Sequence, residues 1–232
     1  MKLVFTLIIS ILLVYISLCS QTIYKEIKTA QDVIDNFIIS RGGKDILTNI
    51  KIVKFEAKYY NKLNEVFDMT RFIGKDFYYQ FWGSGDFKIT TAYDDKNNSG
   101  WEGDGSSVIE FKDDLLKDYH NNSINYWGNY ISADKRGVSF ILKGKDTINN
   151  IEAYVIEVNI DYAYEKTLYF DAKTYDIIRR INHLGYEMNY SDYRPDGSPG
   201  IPMPHLFYSV DTIKVISYEF NPKFDSNLLK KP

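Results

Sequence analysis

The chain has 232 residues and a formal net charge of −3, which leaves no basic footprint for nucleic acid. With 44% hydrophobic and 25% charged residues it can bury one sizeable core and needs no second domain. Aromatic residues make up 16% of it, 20 Tyr and 14 Phe among them, a bias toward pleated, half-buried surfaces and so toward a predominantly β fold.

In chain order, the first element is a targeting segment. Lys2 supplies a short positive region, Leu3 to Leu18 is almost unbroken apolar sequence, and the small residues Ser17 and Ser20 precede polar Gln21. This pattern predicts a signal peptide over residues 1–20, export from the cytoplasm, and a single domain over residues 21–232. The run is slightly short for a span, which needs roughly 20 apolar residues. The sole cysteine, Cys19, falls in this segment, so the processed chain has no disulfide to rely on. Ile16-Ser17-Leu18-Cys19 matches a bacterial lipid-attachment signal except at bulky Leu18, and cleavage near Gln21 without a lipid anchor is the expectation.

An amphipathic helix follows. Thr29 is a good N-cap with Asp32 three residues on, and Ala30, Val33, Ile34, Phe37 and Ile38 recur at helical spacing. Asp32, Asp35 and Asn36 occupy the opposite face, and Gly42-Gly43 ends the helix. Strands then begin at once, with Val53, Phe55, Ala57 and Tyr59 alternating with Lys54, Glu56, Lys58 and Tyr60. Further strand patterns cover residues 65–73, 76–82 and 87–93, and in the third strand Phe77, Tyr79 and Phe81 share a face. Residues 94–105 read as a polar, Gly-rich loop around Trp101, and residues 113–130 as a weaker helix interrupted by Asn121-Asn122-Ser123. Residues 137–145 pair with 151–160, and the short connections through residue 193 require antiparallel neighbours, a β-meander. Pro202 and Pro204 mark an edge or loop entry before a last strand at 212–220.

Several of these pieces together resemble the bacterial outer-membrane lipoprotein-sorting proteins of the Lol carrier superfamily. They are Thr29-Ala30-Gln31-Asp32-Val33-Ile34, Gly42-Gly43-Lys44-Asp45-Ile46-Leu47, Ala92-Tyr93-Asp94 with Gly100-Trp101, and Leu142-Lys143-Gly144-Lys145 leading to Glu152-Ala153-Tyr154-Val155-Ile156. Leu168-Tyr169-Phe170-Asp171, Tyr190-Ser191-Asp192-Tyr193, Ile201-Pro202, Pro204-His205 and Phe220-Asn221-Pro222 continue the likeness in order. The resemblance implies a mainly β (α+β) fold: a strongly curved antiparallel sheet, an incomplete β-barrel, with the N-terminal helix and the weaker central helix on its concave face, enclosing a cavity for acyl chains. The soluble carrier's Arg-Pro pair ahead of the third strand has no counterpart, and Gly74-Lys75-Asp76 stands in its place.

Catalytic patterns are not found. His120, His183 and His205 lie far apart, without a second ligand-type residue at metal-motif spacing, and there is no Gly-x-Ser-x-Gly elbow. No cofactor is implied, and the chain reads as a non-enzyme. The expected function is an exported cell-envelope protein that holds an acyl chain or other apolar ligand, with lipoproteins or an envelope protein as partners. A β domain with a filled aromatic core and a structural or partner-binding role is the alternative. Expected cavity-lining residues are Phe37, Phe55, Tyr59, Phe77, Tyr79 and Phe81, with Arg71 either inward among Phe67, Met69 and Ile73 or at the surface.

Overall fold

A computed structural model describes residues 24–113, 115, 116, 119, 130, 137–159, 166–182, 184–197 and 200–232. The expected signal segment with Cys19, His120, His183 and most of the expected central helix lie outside the described residues.

The chain enters through helix α1 (Ala30–Ser40), whose Thr29 closes the predicted capping box with Asp32. Arg41 is the C-cap, and the amides of Gly42 and Gly43 donate back to the carbonyls of Ile39 and Ile38, both at 3.0 Å. This is a Schellman turn. Gly42 has φ +91°, and an added Cβ would meet Ile46 at 2.8 Å, so glycine is required there. The predicted stripe of Ala30, Val33, Ile34, Phe37 and Ile38 is buried throughout. Asn36 is the exception to the predicted polar face. It is fully buried, and its amide brackets the Lys25 backbone, accepting from its N–H at 2.7 Å and donating to its carbonyl at 2.8 Å. A short second helix, α2 (Lys44–Asn49), follows and buries Leu47.

Among the described residues thirteen strands form one antiparallel sheet. The first meander is β1 (Ile52–Tyr60), β2 (Val66–Gly74), β3 (Phe77–Ser84), β4 (Phe87–Asp94), β5 (Ser99–Gly103) and β6 (Val108–Glu110). The second is β7 (Ser139–Ile148), β8 (Ile151–Asn159), β9 (Lys166–Asp171), β10 (Ile177–Ile181), β11 (Glu187–Asp196), β12 (Ile201–Tyr208) and β13 (Thr212–Phe220). The order is β6-β5-β4-β3-β2-β1-β13-β12-β11-β10-β9-β8-β7, so the two meanders join at β1 and β13 and the sheet stays open, with β6 and β7 as its edges. The edge strand β7 carries Lys143 and Lys145, which pair with Glu157 and Glu152 of β8 and discourage edge-to-edge association. A two-residue turn, Asn149-Asn150, with both residues at positive φ, joins β7 to β8.

Residues 94–105 are not a loop throughout. They form a hairpin into β5, where Trp101 is buried and donates its indole N–H to the Leu229 carbonyl at 3.0 Å. The polar composition that hides this strand belongs to its turn, in which Asp94 accepts from the Lys96 amide and the Asn97 side chain.

The inner face of the sheet buries Val53, Phe55, Ala57, Met69, Ile156, Val158, Leu168, Phe170, Met203 and Val215 against α1. After β13, Asn221 turns the chain at φ +56°, accepts from the Lys51 amide at 2.6 Å and donates to the Asn49 carbonyl at 2.9 Å. The tail then crosses the outer face, seating Phe224 on β2 and β3.

Candidate functional site

Strand register decides which side chains face inward. Phe55 pairs with Arg71, and Arg71 pairs with Gln80, so Arg71, Ile73, Tyr78, Gln80 and Trp82 share the inner face with Phe55. Beneath α1 this face does not close on itself. A cavity of about 330 Å³ remains, walled by Phe37 of α1, Val53 and Phe55 of β1, Ile177 of β10, Tyr190 and Tyr193 of β11, Met203 of β12, and Ile213 and Tyr218 of β13. The volume lies at the lower end of the roughly 300–1,000 Å³ typical of small-molecule sites.

The aromatic part of the wall is locked. Phe55 stacks on Phe207 at 6.0 Å and tilts against Tyr218 at 5.7 Å, while Phe207 meets Tyr190 edge-on at 5.3 Å. The polar tips are tied back to the sheet: Tyr193 donates to the Ile177 carbonyl at 2.6 Å and Tyr218 to that of Pro204. Burial raises the pKa of Tyr78, Tyr130, Tyr193 and Tyr218, so the wall presents neutral phenols across the physiological range.

Among the described residues three arginines interrupt this wall and no carboxylate lines it. Arg41, at the end of α1, is buried and neutralised: its guanidinium lies 4.0 Å over the Phe37 ring and 2.9 Å from Asp176. Arg71 lies 5.1 Å from the Phe55 ring centre and 5.4 Å from that of Tyr78, and donates through Nε at 2.8 Å, and through Nη2, to the neutral amide oxygen of Gln80. The Tyr78 hydroxyl donates to the same oxygen at 2.7 Å. Arg180, from β10, completes the set.

Of the residues expected to line a cavity, Phe37, Phe55 and Arg71 do so. Tyr59 is on the inner face but beyond the cavity, packed on Phe67 and Trp82 and hydrogen-bonded to Asp211 at 2.8 Å. Phe77, Tyr79 and Phe81 belong to the other face, a one-residue change of phase that exchanges the two sides of a strand. Phe77 stacks on Phe224 at 4.4 Å, and Tyr79 packs on Phe72 and Phe224. The lining of Tyr78, Arg180, Tyr190, Tyr193 and Met203 is not anticipated from sequence, although the polar pair Arg71 and Gln80 amid aromatic strands is a signal that marks the inner phase of β3. His205 is buried and structural, with Nε2 2.5 Å from Asp196 and Nδ1 3.2 Å from the Val215 carbonyl. Among the described residues no group of His, Cys, Asp and Glu is arranged to hold a metal ion, and no helix is long and apolar enough to cross a membrane.

No family model matches the sequence, and no curated protein is significantly similar to it. Solved structures do match. A LolA superfamily protein from Nitrosomonas europaea superposes with a TM-score of 0.57 at 10% identity, over 88% of this chain and 99% of its own. The chain shares its fold with this LolA superfamily protein. A DUF1329 family protein from Desulfovibrio piger matches at 0.55 and 12% identity, over 87% of this chain and 97% of its own. An outer membrane lipoprotein-sorting protein domain from Vibrio parahaemolyticus matches at 0.54 and 8%, over 85% and 94%. At these identities the likeness is one of fold.

Proposed function

We propose that the protein is an exported cell-envelope binding protein that takes an acyl chain, or an apolar ligand of similar size, into the cavity beneath α1. The observation that carries this reading is the cavity itself: about 330 Å³ left open in a wall of interlocked aromatic and aliphatic side chains. Interiors are close-packed, with few voids larger than a water molecule, and a void of this size in an otherwise well-packed sheet is what an apolar ligand would occupy. The LolA-type fold supports the same class of function, and the sorting of lipoproteins is the finer reading in which the ligand's chain belongs to a protein partner. Lys2, the apolar run to Leu18 and Ser20-Gln21 support export, with a mature N-terminus near Gln21 and no acyl group on Cys19.

The test is to purify the mature protein, extract it, and identify bound lipid by mass spectrometry, then to titrate the delipidated protein with a fluorescent fatty-acid probe. Co-purifying lipid and saturable 1:1 probe binding are expected. A folded protein that carries no lipid and binds no acyl probe belongs instead to the filled-core class, with a structural or partner-binding role. Intact mass of the secreted chain checks the processing site in the same sample.

A further inference from the structure

The charges in the cavity are unequal in a way that the apolar-ligand reading leaves unused. Arg41 has a carboxylate partner in Asp176 and a ring to lie on, so its charge is spent within the fold. Arg71 is part-buried and is held by an uncharged acceptor, the Gln80 amide oxygen, which fixes the guanidinium without neutralising it. The described residues give Arg180 no ion pair. Arg71, Tyr78 and Arg180 line the same cavity, with the Arg71 guanidinium 5.4 Å from the Tyr78 ring centre, and the positive charges of both arginines partly oppose the effect of burial on the Tyr78 hydroxyl. Glu102 also reaches that hydroxyl from β5, but it lies outside the cavity lining and accepts a hydrogen bond from the Thr91 hydroxyl at 3.0 Å.

Partly buried cations facing an apolar cavity are costly unless an anion meets them. A cavity for a purely apolar guest would carry no such groups. A planar guanidinium offers paired donors matched to carboxylate and phosphate oxygens. Resting on the reading of this cavity as an acyl-chain site, we propose that it selects a single-chain amphiphile with an anionic head, a carboxylate or a phosphate monoester. The head sits between Arg71 and Arg180, and the chain runs along Phe55, Phe207, Tyr190 and Met203. The small volume favours one chain over a lipid of two or three.

The experiment titrates the delipidated mature protein by calorimetry with three ligands of one chain length: dodecanoate, dodecyl phosphate and dodecanol. Both anions are expected to bind at least ten-fold more tightly than the alcohol. Arg71→Gln and Arg180→Gln are expected to bring that ratio toward one, and Arg71→Lys to keep part of it, with near-UV circular dichroism confirming a native core in each. Acetate and inorganic phosphate at millimolar concentration are expected not to displace dodecanoate; displacement by either would mark a free-anion site and overturn the proposal. Equal affinity for the three ligands, or an anion preference untouched in folded Arg71→Gln and Arg180→Gln proteins, overturns the head-group inference while leaving the acyl-chain reading standing. Failure of all three to bind overturns both.

Discussion

The two faces of β2 and β3 are both aromatic, and they do opposite things. Outside, Phe72, Phe77 and Tyr79 are closed over by Phe224 from the C-terminal tail, ring on ring, with Phe77 and Phe224 stacked at 4.4 Å. Inside, Tyr78, Gln80 and Arg71 form a polar cluster at the wall of a void. Aromatic density therefore marks where surface is covered, whereas the break in it, an arginine held by a glutamine, marks where surface is left open for something else. A ring needs only apolar neighbours, which the tail supplies. A guanidinium in the wall needs an acceptor, and the fold provides a neutral one.

The largest test of this contrast is on the inner side. Phe37 is 2% exposed, packs edge-on against Phe170 at 5.5 Å and forms the seat for Arg41. Phe37→Ala is expected to cost about 3–5 kcal/mol in urea unfolding and to enlarge the cavity. Where the variant remains folded it should bind an acyl probe at least as well as the parent. A variant that loses stability and also loses binding would mean that Phe37 contacts the ligand instead of limiting its space.

On the outer side, Phe224→Ala removes the ring that covers three aromatics. The side chain is only part-buried, so a loss of about 1–2 kcal/mol is expected, from lost apolar burial and ring contacts. Probe affinity should not change, because the two faces are separated by the backbone of the sheet. A parallel fall in affinity would show that the tail shapes the cavity through β3, and the contrast between the faces would break.

The reach of the sequence follows the same division. Helix α1 is legible because its information is local: the Thr29–Asp32 box, the 3.6-residue stripe and the glycine stop all lie within fifteen residues. Most strands of both meanders are legible from alternation and short turns, but β5 and β6 are not, and β12, where Pro202 and Pro204 read as an edge or loop entry, is an interior strand paired with β11 and β13. The phase of β3 is not legible either, since Phe77, Tyr79 and Phe81 and their neighbours Tyr78 and Trp82 satisfy a buried face equally well. What decides it is non-local, namely the pairing of Arg71 with Gln80 across two strands and a phenylalanine some 150 residues away in the chain. Asn36 is missed for a related reason. An amide on a helix reads as wet, and only the fold brings the Lys25 backbone up to both of its ends.

Tyr59 gives the smallest and most selective test. It lies on the inner face yet outside the cavity, and its hydroxyl donates to Asp211 at 2.8 Å across the β1–β13 seam. Burial first, then the hydrogen bond and charge of Asp211, push its pKa up to about 12. Tyr59→Phe keeps the ring against Phe67 and Trp82 and removes only that bond. In this partly exposed setting the loss should be about 0.5–1 kcal/mol at neutral pH, with no change in probe affinity. The pH dependence has a definite sign. The native state holds the neutral phenol and the unfolded chain ionises near pH 10, so the contribution of the hydroxyl is complete below pH 10 and is lost as the pH rises toward 12. The gap in unfolding free energy between parent and Tyr59→Phe should thus be constant from pH 7 to 9 and close at higher pH. A gap that widens above pH 10 would mean that the tyrosinate is the form the fold stabilises, and Asp211 would then have to carry the proton.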